Sequence, residues 1–75
     1  MNNIRRKQIQ QTIQRIEELT QVVQEILNDE QEAFENMPES LQVSERGLAS
    51  ENAQESLEAA VAALEESVSY LEEIE

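Results

Sequence analysis

The sequence predicts an all-α fold: two long helices folded back on each other as an antiparallel helical hairpin. Three observations predict it. Apolar residues recur in steps of three and four along both halves of the chain, which is the spacing of one helical face. The only proline and the only glycine, Pro38 and Gly47, fall in one short stretch near the middle, so both flanks are free of helix breakers. The charges are divided by position. Arg5, Arg6, Lys7 and Arg15 precede every acid, and residues 16–75 hold all 17 acids and a single base, Arg46. Folding back sets the basic start of the chain beside its acidic end at Glu72, Glu73 and Glu75.

The first helix is expected over about residues 4–36. The apolar stripe of this flank is Ile9, Ile13, Ile16, Leu19, Val23, Ile26, Leu27, Phe34 and Met37. In heptad notation Ile13, Thr20, Leu27 and Phe34 take position a. Ile9, Ile16, Val23, Glu30 and Met37 take d, and Leu19, Ile26 and Ala33 take g. The stripe is three positions wide, so it can cover more than one neighbour. Glu30 interrupts it close to the break. Pro38 disfavours helical dihedrals at Met37, which ends this helix near Asn36.

The turn is expected over 37–43, with "PESLQ" a tight turn or one helical turn. Ser40 and Ser44 are both able to cap a helix. Glu45 after Ser44 places an acid in the first turn of the next helix, where the helix dipole favours it. Gly47 falls in that first turn, where glycine weakens a helix by about 1 kcal/mol. Its missing side chain leaves room for Phe34 or for a neighbouring backbone. The second helix is expected over about 44–73. Val61 and Val68 take a, Leu57, Leu64 and Leu71 take d, and Ala53, Ala60, Ser67 and Ile74 take g. Glu51, Glu58, Glu65 and Glu72 fill every e position. Antiparallel packing sets e against e, and the facing e row, Gln10, Glu17, Gln24 and Gln31, is mostly neutral.

One domain of 75 residues is expected. Two helices bury little apolar surface against about 1.5 kcal/mol of ordering entropy per residue. Two hairpins are therefore expected to pair as a homodimer in a four-helix bundle. No apolar run reaches the about 20 residues that span a bilayer. No apolar segment of a signal peptide follows Lys7, so the expected location is the cytoplasm, with no membrane partner.

The composition argues against catalysis. The chain has no histidine and no cysteine, which removes the commonest general base, the thiolate nucleophile and the commonest metal ligands. Its carboxylate pairs, such as Glu65–Glu66, lie on an exposed face and do not converge in a pocket. "NDEQE", Asn28 to Glu32, lacks the glycine and the terminal bidentate glutamate of a calcium loop. No enzyme, cofactor or metal site is expected. The net charge of −12 is wrong for phosphate binding, so nucleic acid is not an expected partner. It suits a partner with a basic surface.

Two surfaces are candidates for partner binding. One is the break, with Phe34, Met37, Leu41, Val43 and Arg46. Its apolar residues are expected to cap the open end of the hairpin core, the alternative being an exposed anchor. Arg46 is placed to pair with Glu39 or Glu45. The other is the acidic row, Glu51, Glu58, Glu65 and Glu72. It reads first as a solvated face, and otherwise as an imitation of a phosphate row that occupies a basic groove.

The segment "QEAFENMPESLQVSERG", Gln31 to Gly47, joined to "ESLEAAVAALEESVSYLEEIE", resembles small acidic proteins encoded by tailed phages and prophages, mostly of Gram-positive bacteria. The resemblance spans about residues 15–75, and 34–47 is its distinctive part. It brings no functional residues. It implies a phage-type accessory protein in a bacterial host, binding and inhibiting a host protein such as a nuclease or a defence effector. A coiled-coil adaptor in a phage complex and a DNA-mimic inhibitor are the alternatives.

Overall fold

The computed structural model describes residues 1–75. Three helices follow one another: α1 (Asn3–Glu35), α2 (Glu39–Gln42) and α3 (Glu45–Glu72). The chain is all-helical, and α1 packs along α3 as a helical hairpin.

The ends of α1 are made locally. Asn2 has extended backbone, and its Oδ1 accepts from the N–H of Arg5 at 2.9 Å, the bond of a helix N-cap. Past Glu35, the N–H of Asn36 still reaches Glu32 O and the N–H of Met37 reaches Phe34 O. Pro38 then leaves the helical region, with ψ at 147°. The charges do not help these ends. Arg5, Arg6 and Lys7 crowd the positive end of the α1 dipole, and no base stands in the last turn of α1 or α3. Packing of the apolar face has to hold the helices.

That packing uses positions a and d. Ile9, Ile13, Ile16, Val23 and Phe34 of α1 and Met37 just past its end are half-buried, as are Leu57, Val61, Leu64 and Leu71 of α3. Leu27 and Val68 are the two buried apolar side chains. Polar residues in the seam are satisfied. Thr20 donates to Ile16 O at 2.7 Å, and buried Ser50 accepts from Gln54 Nε2 at 3.3 Å.

The result is a rod of 58 × 15 × 12 Å between Cα atoms. Its radius of gyration is 17.2 Å, against about 11 Å for a compact domain of this length. Covering is one-sided. Leu19, Val22 and Ile26, at 58%, 49% and 50% exposed, lie outside the seam. No helix is long and apolar enough to cross a membrane.

Candidate functional site

The hairpin tip is built from a glutamine and a glycine. After Pro38 the chain makes the single turn of α2, with the N–H groups of Leu41 and Gln42 both bonded to Pro38 O. Gln42 then turns its side chain back toward α1. Its Nε2 donates to Phe34 O and to Met37 O, both at 3.1 Å. The last carbonyls of a helix have no partner within the helix, and one amide with two N–H groups serves two carbonyls here.

Gly47 is the other half of the lock. It has ordinary negative φ, so it is not there for backbone freedom. A Cβ at this position would stand 2.7 Å from the Cα of Gln42 and closer still to its carbonyl carbon and oxygen. The side chain is missing so that α3 can start against the backbone of α2. Of the two neighbours foreseen for this gap, it is the backbone that comes nearest.

The serines act differently from the capping expectation. Ser40 lies inside α2, whose N-cap position is Pro38. Ser44 does occupy the N-cap of α3, in extended backbone, yet makes no side-chain cap bond. Its hydroxyl donates to Leu41 O instead. The hydroxyl therefore fixes the turn to itself and leaves the first α3 amides uncapped.

The locked turn presents apolar side chains outward. Val43 is 82% exposed, Leu48 54% and Leu41 37%. The expectation that Leu41 and Val43 close the end of the core does not hold: both are exposed, Val43 the more so. Gln42 points inward, so its neighbours on the single turn point away. Phe34 and Met37 are half-buried beneath them, and Arg46 is exposed beside them.

The acidic row is a separate surface along one edge of the rod. Glu65 and Glu72 line a cleft between the helices with Glu17, Thr20, Val68 and Ser69. Glu51 and Glu58 lie on the same row nearer the tip, both exposed. The carboxylates are not disposed to share a metal ion. At the far end Arg6 and Glu72 line one cleft with Ile9, Gln10, Ile13, Leu71 and Ile74, so the two termini do meet.

No protein-family model, curated protein or solved structure matches the chain.

Two neutral residues at the tip carry more of its structure than the charged ones do. The signal for Gln42 was available: a helix ending at a proline needs donors for its last carbonyls, and Gln42 is the nearest side-chain amide that follows.

Proposed function

We propose that this chain is a non-enzymatic protein-interaction module of the phage-accessory type, which binds and blocks a host protein through the hairpin tip. The observation that carries the reading is Val43, 82% exposed on a turn held by Gln42 and Gly47. A rigid scaffold presenting apolar loop side chains is how binding residues are commonly displayed. The tip also falls within residues 34–47, the segment that resembles the phage proteins. Its surroundings, Glu35, Glu39, Glu45 and Glu51, fit an apolar pocket with a basic rim on the partner.

The module acts as a homodimer, two hairpins forming a four-helix bundle. The supporting quantity is area. The chain exposes 5897 Å², against about 4,700 Å² for a compact monomer of its mass. The excess is of the order of the about 800 Å² that each partner contributes to a standard interface.

The test is affinity purification from bacterial lysate with three baits: the tagged wild-type chain, Val43→Asp, and the triple variant Glu58→Lys/Glu65→Lys/Glu72→Lys. A host protein retained by the wild type and the triple variant and lost from Val43→Asp is the expected result. Retention by Val43→Asp with loss from the triple variant would move the site to the acidic row, as a DNA mimic requires. Recovery of phage proteins alone would make the chain an assembly adaptor.

A further inference from the structure

The seam between α1 and α3 uses positions a and d, so a second copy must dock elsewhere. The e edge is closed to it, because Glu17, Glu51, Glu58, Glu65 and Glu72 stand there in a chain of net charge −12. The opposite side, made by the g and c positions, is different. On α3 it holds Ala53, Ser56, Ala60, Ala63, Ser67 and Tyr70, with no acid. On α1 it holds Leu19, Val22 and Ile26, about half exposed each. Of the 17 acids, Asp29 alone occupies a g or c position. Two strongly acidic chains can approach closely only on this side.

Apart from Arg5 near the start of α1, the charges that stand there on α1 are arranged about a centre. Val22 is the middle of the exposed apolar trio. Arg15 lies seven residues before it and Asp29 seven residues after it, both exposed and both at c. Seven residues are about 10 Å along a helix. An antiparallel pairing of α1 with a second α1 about Val22 therefore sets each Arg15 against the second copy's Asp29, twice by symmetry, with the apolar trios between them. A parallel pairing would set Arg15 against Arg15 and Asp29 against Asp29. A twofold interface has to be self-complementary, and only the antiparallel one is.

We propose that the dimer forms by this antiparallel, twofold pairing of α1 on α1, centred at Val22 and closed by reciprocal Arg15–Asp29 ion pairs. The proposal rests on the homodimer reading above and adds its geometry. It also fixes where the tips go. Each tip lies about 15 residues along α1 from Val22, so the two tips sit at opposite ends, about 45 Å apart. The dimer is then a rod with one partner-binding tip at each end.

The experiment has two arms. Sedimentation equilibrium compares the wild type, Arg15→Asp, Asp29→Arg and the double swap. Each single variant turns two attractions into two repulsions and is expected to weaken the dimer about tenfold at low salt. The double swap is expected to restore it to within about threefold, because the pairs re-form with reversed sign. Both sites are exposed, and circular dichroism confirms that the variants fold. The second arm places a spin label at Val43→Cys, the sole thiol in a chain without cysteine. The expected distance between labels is about 45 Å or somewhat more, since Val43 lies past the end of α1, whereas hairpins aligned tip to tip would give less than about 25 Å. A wild-type chain that stays monomeric at micromolar concentration would overturn the homodimer itself. A dimer with no rescue in the double swap, or with a short label distance, would keep the homodimer and overturn this pairing, leaving α1 against the second copy's Ala60–Ala63 row.

Discussion

Replacing Gly47 by alanine separates what helix propensity favours from what the tip allows. Propensity alone makes Gly47→Ala stabilising by about 1 kcal/mol in a helix. The structure gives the opposite sign. The new Cβ would meet the Cα, carbonyl carbon and oxygen of Gln42, all backbone atoms, with the Cα at 2.7 Å. A flexible side chain could swing aside, but a backbone turn has to move as a unit. Overpacking of this kind destabilises by about 1–3 kcal/mol. If α2 shifts, the two bonds from Gln42 Nε2 to Phe34 O and Met37 O are weakened too, at about 1 kcal/mol each. Set against the propensity gain, the net loss is about 2 kcal/mol. For a domain of this size that lowers the thermal midpoint by about 10 °C. Urea and thermal unfolding followed by helical circular dichroism measure it, with wild type and variant at equal concentration because dimerisation links stability to protein concentration. Asn52→Ala, exposed on α3, is the control and is expected to gain a few tenths of a kcal/mol from propensity alone. A Gly47→Ala chain as stable as the wild type, or more so, would refute the close approach of α2 and α3.

Two further outcomes follow from the seam and the acidic edge. Leu27→Ala removes the most covered apolar side chain, 4% exposed, and is expected to destabilise by about 2–4 kcal/mol. A loss below about 1 kcal/mol in urea unfolding would mean that the middle of the seam is open. The triple variant Glu58→Lys/Glu65→Lys/Glu72→Lys relieves repulsion among Glu17, Glu65 and Glu72 around their shared cleft and raises the net charge from −12 by six units. Its thermal midpoint is expected to exceed that of the wild type at about 10 mM salt and to converge with it at about 1 M, where charges are screened within about 3 Å. A gain that persists at high salt would show that the effect is not electrostatic.

Much of the fold is legible in the chain because helical periodicity is a local property. Steps of three and four define a face, and one break between two such faces leaves the hairpin as the way to bury both. The tip is legible in part. Pro38 marks the end of α1 through its own steric effect on Met37. Ser44, by contrast, has two uses for its hydroxyl, and the choice depends on where Leu41 O comes to lie. Gly47 has no local requirement at all. Its reason is the backbone of Gln42, brought there by the path of a turn that no spacing rule describes. The outward placement of Val43 is of the same kind: it follows from Gln42 being drawn inward to the α1 carbonyls.

The sequence by itself determined two amphipathic helices, one break, and a charge order that sets bases beside acids when the chain folds back. These depend on neighbours within about a turn of each other, and the residue order states them directly. The tertiary structure decided which part of each broad apolar stripe is covered. A stripe has a direction but does not say how many partners it meets. The a and d positions are used between α1 and α3, and that leaves Leu19, Val22 and Ile26 in water on the one side of the rod that is nearly free of acids.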